Sequence, residues 1–511
     1  HHRGDLYLAL AAHPLTGQDF YNGGVSSAWE QLGQSLQAAK LHRFAELGAD
    51  LSQLFLPQGH GGNEDQQCQV CGTENPGTVV DPKSGENEVR KCPACLSYED
   101  LGESLRDADF LALQRLEIPP SPDLTQKGEP GRWQDVLSDL GMGALVLRKD
   151  ELVSLPADWP TTLFALDDEV YREGSRKIGP NLAYGRRLMV NVTPKLTDED
   201  LQDLRDLTDL PAVGSTKPFH AMAAQSTGIQ RLGVLRMDVD NLGDLFSKGL
   251  GPLATLSRVA SLSSAFSLFF EGWVEVIAAA MNKKDREAGK GDRLYSIYSG
   301  GDDLFFVGAW DRVAELARQV RIDLGAYAAN HPGIHLSGGL VLVGGKYPLS
   351  QAAADAGRAE QSAKSHRWLD GKNAREKDSF CFLGQALPWQ VVGLEPGEEP
   401  GIETAHSMMC LLKAQEKQAR GPLIRRLIDL YGRYQNALEK RTLSGEDVDR
   451  GGQAQALYGR WNWLADYTLY RLADQYNNKG IDELREQLKK EKFRSIEWVG
   501  LAARWAELLL R

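Results

Sequence analysis

The stretch Tyr298-Ser299-Gly300-Gly301-Asp302-Asp303 constrains this chain more than any other. Ahead of it, Leu294 to Ser299 alternates apolar and polar residues, the two-residue period of a half-buried strand. Behind it, Leu304-Phe305-Phe306-Val307 is apolar on both faces, as a central strand is. Gly300-Gly301 can adopt the positive φ that a two-residue hairpin turn needs. The stretch therefore reads as a β-hairpin with two adjacent carboxylates at the start of a buried strand. Desolvating both is costly, and a bound cation offsets that cost. Mg²⁺ (or Mn²⁺) is the natural candidate, a hard ion held by one or two carboxylates and substrate phosphates. The alternative is an acid pair in an exposed turn.

A second strand ending in acid lies about sixty residues earlier, in Arg231-Leu-Gly-Val-Leu-Arg-Met237-Asp238-Val239-Asp240-Asn241-Leu242-Gly243. Two-metal phosphoryl transfer draws carboxylates from more than one strand onto ions roughly 3.5–4 Å apart. Strand residues alternate faces, so Asp302 and Asp303 share a site only if the hairpin end twists. Asp238 is the expected ligand here, with the Val239 carbonyl as a further one. Asp240 is either a ligand or a local turn former.

Composition sets the outer limits. The chain has 511 residues, 42% hydrophobic and 25% charged, enough for about three or four domains with sizeable cores. No run approaches the roughly eighteen apolar residues of a membrane helix, and the polar start, His1-His2-Arg3-Gly4-Asp5, is no signal peptide. The first residue is not Met, as in a fragment. The net charge of −12 excludes a globally basic nucleic-acid binder, so any RNA contact must use local basic patches.

Four of the six cysteines fall as Cys68-x-x-Cys71 and Cys92-x-x-Cys95, with twenty residues between the pairs. That spacing reads as a structural Zn²⁺ site; disulfides or a redox pair are the other readings. Cys381 and Cys410 stand alone as buried thiols. Such cysteine usage points to a reducing, cytoplasmic setting.

In chain order, Leu6 to Ala12 reads as a strand and Ser26 to Leu47 as a helix, with Trp29, Leu32, Leu36, Ala39 and Phe44 inward and Gly48 as its stop. Residues 1–56 look like half an α/β unit, and 57–105 form the cysteine module. Residues 106–215 carry short strands at Phe110, Ala144 and Arg187–Val192, and an acidic run at 197–206 that reads as a solvated loop or helix face. The core domain, 216–402, runs strand, long helix near 256–280, hairpin, helix capped by Asp311, strand from Ile334 to Val343, and a helix through Lys364. Val313, Leu316, Val320 and Leu324 point inward on the second helix. The order βαββαβ is the ferredoxin-like arrangement, an antiparallel sheet with helices on one face; the whole chain is α+β and multidomain. Residues 403–511 are helical, one helix starting at Gly421-Pro422. Trp461, Trp463, Trp498 and Trp505 there read as core rather than base-stacking residues. The basic groups Lys417, Arg420, Arg425, Arg426 and Lys489, Lys490, Lys492, Arg494 read as solvated faces rather than RNA contacts.

Together these stretches resemble the large subunit of type III CRISPR effector complexes, the palm-domain cyclic oligoadenylate synthetase, in its Csm form. The resemblance covers nearly the whole chain. Its most specific parts are residues 232–243, the hairpin 298–303 and the Cys-x-x-Cys pairs before them. It implies a partial first palm domain at the start, a catalytic palm domain around the hairpin, and a C-terminal helical domain. It implies that two ATP molecules meet at the palm, where Asp238, Asp302 and Asp303 hold two Mg²⁺ ions. A ribose 3′-hydroxyl then attacks an α-phosphate, pyrophosphate leaves, and repetition yields cyclic oligoadenylate in antiviral defence. Val239, Asp240, Ser299, Gly300, Gly301 and Lys364 are implied neighbours of the nucleotide; Lys364 matches the family's Ala-Lys helix pattern and otherwise reads as a surface lysine. Guide CRISPR RNA, target RNA and other effector subunits are the implied partners, with no membrane.

One departure stands out. Many members carry an HD nuclease domain, and this sequence contains no adjacent His-Asp pair, so no DNase activity is expected from it. Rival readings are a diguanylate-cyclase-like enzyme, for which Leu304 replaces the expected Phe, a template-dependent polymerase, for which no fingers or thumb is evident, and a silent RNA-binding scaffold subunit.

Overall fold

The computed structural model describes residues 9–21, 24–45, 62–82, 88–116, 131–154, 160–166, 170–172, 182–370, 373–394, 400–443 and 460–511, together with Gly48 and Leu56. The chain forms two compact units, one of residues 1–189 and 246–261, the other of 190–245 and 262–511.

In the first unit, helix α1 (Gly24–Leu41) buries Val25 and Ala28. Its inward set is shifted from expectation: Trp29 is exposed, and Leu32, Leu36, Ala39 and Phe44 are half-buried. Leu6 to Leu8, Leu47 and His1-His2 lie outside the described residues, and Ala9 to Ala12 form no strand. The cysteine module pairs β1 (Val79–Val80) with β2 (Arg90–Lys91) and leads into α2 (Pro93–Arg106), which starts directly after Cys92. A four-stranded sheet comes next, built from β3 (Phe110–Arg115), β4 (Met142–Leu147), β5 (Thr161–Ala165) and β6 (Leu182–Arg186) in the order β4-β3-β5-β6, with α3 (Trp133–Asp139) between β3 and β4 in sequence. Phe110, Ala112, Leu163 and Ala165 form its core. The strand expected at Arg187–Val192 is not formed; β6 lies just before it and ends at Arg186. Val192 meets Ser296 of the second unit's own sheet, its carbonyl accepting from the Ser296 N–H (2.9 Å).

The second unit opens with α4 (Asp198–Asp203), part of the acidic run. Asp198, Glu199 and Leu201 face solvent, but Asp200 is buried (1%) and pairs with the equally buried Lys217 at 2.6 Å. After α5 (Phe219–Ala224) comes the main sheet. Its strands are β7 (Leu232–Val239), β8 (Leu294–Gly300), β9 (Asp303–Ala309) and β10 (Leu336–Val343). Joining them are α6 (Leu256–Glu287), between β7 and β8, and α7 (Trp310–Tyr327), between β9 and β10. The spatial order β10-β7-β9-β8 is antiparallel throughout.

Among the described residues, α6 is the one helix long and apolar enough to cross a membrane by length and composition. Its Phe269, Phe270, Val274, Ile277, Ala278 and Met281 are nevertheless buried, as on the inner side of a core helix. Helix α7 begins at Trp310, so Asp311 is not its cap; its carboxylate accepts from Thr227 N (3.1 Å) and Arg293 (3.2 Å). Val313, Leu316, Val320 and Leu324 are buried as expected.

Both faces of the sheet are covered, not one. Trp310 and Val313 of α7 sit over Gly233 on one face. On the other, Ala352 and Ala356 of α8 (Leu349–Lys364) and Met222 and Ala223 of α5 cluster with Leu232, Val234, Phe305 and Val307. Two small ladders complete the domain. Strands β11 (Arg367–Asp370) and β12 (Asn373–Glu376) pair alone, while β13 (Ser379–Phe382) adds parallel to β10 and β14 (Gln385–Pro388) extends the sheet to six strands.

The helical end comprises α9 (Ala405–Ala414), α10 (Lys417–Leu443), α11 (Arg460–Tyr476), α12 (Lys479–Lys490) and α13 (Ile496–Leu510). Helix α10 starts before Gly421-Pro422, so Pro422 sits inside it, where it removes the bond to the Gln418 carbonyl and its ring crowds that carbonyl. Trp461 and Trp505 are buried and Trp498 donates to Ile402 O (3.0 Å), but Trp463 is 69% exposed. The two basic groups are solvated apart from the half-buried Arg420.

Helix α8 can lie flat on β10 because Gly339 has no side chain. A Cβ there would stand 2.2 Å from Glu360 N and 2.5 Å from the Ala359 carbonyl carbon, closer than any relaxation of a side chain could relieve. Gly339→Ala should therefore push α8 off the sheet and destabilise the unit by about 1–3 kcal/mol, read as a lower thermal midpoint with secondary structure retained.

Candidate active site

The site is set by strand register. Asp238 pairs with Asp303 on β9 and with Ser337 on β10, at the end of the central strand. Asp238, Arg236 and Val234 share one face of β7 by the two-residue period, and α8 lies over that face. The hairpin turn is shifted by one residue from the sequence reading. Gly300 pairs with Asp303, and the two turn residues are Gly301 and Asp302. Gly301 has φ +67°, the positive value a type II′ turn places at its first central position, whereas Gly300 has no positive φ. Asp302 thus leaves the strand and its carbonyl accepts from Val239 N (3.0 Å). This is how neighbouring acids approach one site: Asp303 from the strand, Asp302 from the turn.

A bulge between Ser296 and Tyr298 sets which side chains accompany them. A bulge adds one residue and re-aims the side chains beyond it. Tyr298 therefore falls opposite Phe305, packs edge-on against its ring (5.9 Å) and donates its hydroxyl to Asp303 Oδ2 (2.8 Å). Burial, then the Asp303 carboxylate, push the Tyr298 phenol up to about 12. The same shift turns Ser299 to the opposite face. Expected beside the nucleotide, Ser299 is buried and donates to Phe270 O (2.6 Å).

Helix α8 brings Lys364 and Glu360 to the site, and β7 itself supplies Arg236. Lys364 forms an ion pair with Asp238 and reaches Glu360 at 3.6 Å; Arg236 pairs with Glu360 at 3.4 Å. Gly357 leaves room for the Arg236 guanidinium, since a Cβ there would stand 3.2 Å from it. Four carboxylates, Asp238, Asp302, Asp303 and Glu360, thus share a neighbourhood with two cations. Burial raises the Asp302 carboxyl above the usual carboxylate range, and the charges of Asp238 and Asp303 add to that against the opposing pull of Lys364. Burial likewise raises Glu360, opposed by Lys364 and Arg236. The cluster has more negative than positive charge, but among the described residues only the four cysteines of the other unit have their ligand atoms all within 4.8 Å of one another.

Asp240 is not part of it. Its Oδ2 accepts from His335 Nδ1 (2.7 Å), Ser337 Oγ (2.9 Å) and Asp378 N (3.0 Å). The residue is 1% exposed and its Oδ1 has no partner. It anchors the start of β13 to the end of β7, a task invisible without the two added strands. Sequence reasoning singled out Asp238, Asp302, Asp303 and Lys364 but gave no role to Arg236, Tyr298 or Glu360. Signals existed for two: Arg236 is two residues from Asp238 on a strand, and Glu360 is four from Lys364 on a helix.

In the other unit, the Sγ atoms of Cys68, Cys71, Cys92 and Cys95 all lie within 4.8 Å of one another, with Cys68–Cys95 and Cys71–Cys92 at 3.7 Å. All four are free thiols. Ligands 2.3 Å from a tetrahedral metal stand about 3.8 Å apart, so the cluster fits a metal ion. Burial opposes ionisation of Cys68, but the backbone N–H groups of Cys71, Cys92 and Val70 outweigh it and bring the thiol down to about 6.

An acid-ended central strand beside an acid-bearing hairpin, in an antiparallel sheet of this order, is the arrangement of a palm domain. Residues 231–376 match the family described as Cas10/Cmr2, second palm domain. The chain is similar to proteins named CRISPR system single-strand-specific deoxyribonuclease Cas10/Csm1 (subtype III-A). The relative from Methanocaldococcus jannaschii is 27% identical over 401 residues, covering 73% of this chain and 46% of its own. That from Mycobacterium tuberculosis is 38% identical over 163 residues, covering 30% of this chain and 20% of its own. The chain spans about half the length of the longer-matching curated relatives. In fold it is similar to a Csm1-Csm4 cassette crystallised with cA4, at TM-score 0.58 and 18% identity over 99% of this chain and 57% of that one. The same cassette with AMPPNP gives 0.56.

The raised Asp302 carboxyl has a testable sign. A carboxyl whose folded pKa lies above its unfolded value binds its proton more tightly when folded, so stability falls as pH rises through that range. With a chelator present, Asp302→Asn should raise the thermal midpoint at pH 7–8, and the gain should vanish as pH drops below the unfolded carboxylate pKa of about 3.9.

Proposed function

We propose that this chain is the palm-bearing part of the large subunit of a type III CRISPR effector complex, and that its palm makes cyclic oligoadenylate from ATP when target RNA is bound. The observation that carries this reading is the convergence of Asp238, Asp302 and Asp303 with Lys364 at one end of the sheet. The sheet order supports reading it as a ferredoxin-like palm. In the reaction, a ribose 3′-oxygen of one ATP forms a bond to the α-phosphorus of another, and the bond to pyrophosphate breaks. Mg²⁺ (or Mn²⁺) held by Asp238, Asp302 and Asp303 would supply the positive charge that stabilises the attacking oxygen and the attacked phosphate. Tyr298 fixes the rotamer of Asp303. Lys364 offers its ammonium to the triphosphate, with Glu360 holding it on the site side of α8. Gly301 keeps the turn compact, and the Val239 carbonyl stands at the same strand end. Catalysis by these groups is positioning and charge stabilisation.

The relatives and the cassette structures support this reading by their names and by the adenosine ligands of the cassettes. We assign residues 1–56 to a partial first palm domain, 57–105 to a zinc module, 106–215 to an α/β linker domain, 216–402 to the catalytic palm and 403–511 to the C-terminal helical domain. Guide RNA, target RNA and other effector subunits are its partners, in the cytoplasm. The absence of a His-Asp pair from this sequence sets no DNase activity on the residues present.

The assembled complex with Mg²⁺, ATP and complementary target RNA should give cyclic oligoadenylates by mass spectrometry, and none without the target. Asp302→Ala with Asp303→Ala should abolish product, at least 100-fold, with assembly intact. Guide binding without product from the wild type would leave a scaffold subunit. For the cysteine module, elemental analysis of the purified chain should give one zinc per chain. Cys68→Ser with Cys95→Ser should lose that zinc and lower the thermal midpoint, and a metal-free wild type of equal stability would refute the assignment.

A further inference from the structure

The carboxylates at the end of β7 do not stand ready for a metal ion. Among the described residues, only the cysteines of the other unit gather their ligand atoms within 4.8 Å, and Asp238 is already taken. Its Oδ1 is paired with the Lys364 ammonium. One of the chain's own cations thus occupies the carboxylate expected to hold metal. The same ammonium has a second carboxylate within reach, Glu360 Oε1 at 3.6 Å. Closing that gap to a charge-assisted hydrogen bond of about 2.8 Å takes a shift of about 1 Å.

The two seats differ in ways that decide which one gives way. The Asp238 side chain is 29% exposed and that of Glu360 13%, so an ion arriving from solvent meets Asp238. Glu360 is held in place. Its Oε2 faces Arg236 Nε at 3.4 Å, which leaves Oε1 for the lysine. Gly357 makes room for that guanidinium, and Gly339 lets the helix lie close enough. Glu360 precedes Lys364 by one helical turn, the favourable order for such a pair. Lys364 is the last residue of α8, where the helix carbonyls favour a positive group. Its flexible four-carbon stem lets the ammonium swing between the two carboxylates. At equal distance a divalent cation is attracted to Asp238 about twice as strongly as an ammonium, and it repels the ammonium.

We propose that Lys364 is a built-in competitor of the palm's metal ion, seated on Asp238 when no divalent cation is bound and on Glu360 when one is, with Glu360 the positioning residue that receives it. This inference rests on the metal-dependent reading of the palm and adds a regulation of that site. Without metal, the ammonium offsets the repulsion among Asp238, Asp302 and Asp303. With metal, it is released beside the place of the triphosphate, so metal entry prepares the nucleotide's seat.

The test titrates Mn²⁺ alone onto the nucleotide-free full chain and follows free Mn²⁺ by electron paramagnetic resonance. Mn²⁺ prefers carboxylate oxygen to thiolate, which keeps the cysteine module out of the readout. Lys364→Met should tighten Mn²⁺ by about tenfold or more. Arg236→Gln removes an equal charge from the same cluster without freeing Asp238, and should tighten it by less than about threefold. Glu360→Gln should weaken Mn²⁺ by about threefold or more in the unmodified chain and by less than about twofold beside Lys364→Met, because it acts through the lysine. Equal gains from Lys364→Met and Arg236→Gln, or an equal loss from Glu360→Gln in both backgrounds, would overturn the proposal and leave simple charge as the cause. Lys364→Gln gives the same comparison if the Met variant fails to fold. Asp238→Asn separates the inference from the reading it rests on. Mn²⁺ binding that Asp238→Asn abolishes but Lys364→Met does not tighten defeats the competitor alone. Binding that survives Asp238→Asn, or none by either the unmodified chain or Lys364→Met at millimolar Mn²⁺, defeats both.

Discussion

Repulsion among carboxylates at the end of one strand is the constraint around which the second unit is arranged. Asp238 and Asp303 are opposite each other across a strand pair, and like charges directly opposite are unfavourable in a sheet. Asp302 adds a third from the turn. The fold brings in Lys364 and Arg236 against them, and Glu360 in turn holds both cations. Each of those placements depends on a helix lying close to the strands, and that closeness depends on the missing side chain of Gly339. Backbone packing and electrostatics are thus one problem in this unit. A helix held a few ångströms farther out would leave the three acids without Lys364 and Arg236 without the carboxylate that holds it.

Much of this was legible in the sequence, for identifiable reasons. Alternation and apolar runs gave β7, β8, β9, β10 and the inward stripe of α7, because those elements bury one face or both and little else decides them. The paired cysteines pointed to a cluster because their spacing is a local geometric requirement. Asp238, Asp302 and Asp303 stood out because clustered carboxylates at strand ends are costly to desolvate, whereas Lys364 stood out only through the family resemblance. What escaped was non-local. Asp240 reads as a site residue until β13 is known to pack beside β10 and to need its carboxylate. Asp200 reads as solvated until Lys217, seventeen residues on, is brought against it. The second covered face comes from α5 and α8, which no periodicity on the strands themselves announces.

The helical end teaches a related lesson about aromatic residues. Four tryptophans in similar helical contexts read alike, yet Trp461 and Trp505 are buried, Trp498 is tied by its indole N–H, and Trp463 is exposed and stacked on Tyr467 with rings 4° from parallel. Helical spacing fixes which residues share a face. It does not fix which face has a neighbour, and that depends on the packing of α10, α12 and α13 around α11.

The single extra residue between Ser296 and Tyr298 acts as a phase shifter. Without it, Tyr298 and Ser299 would exchange faces, the hydroxyl that meets Asp303 would turn toward Phe270, and the acid would lose its neighbour with no change in the letters of the turn itself.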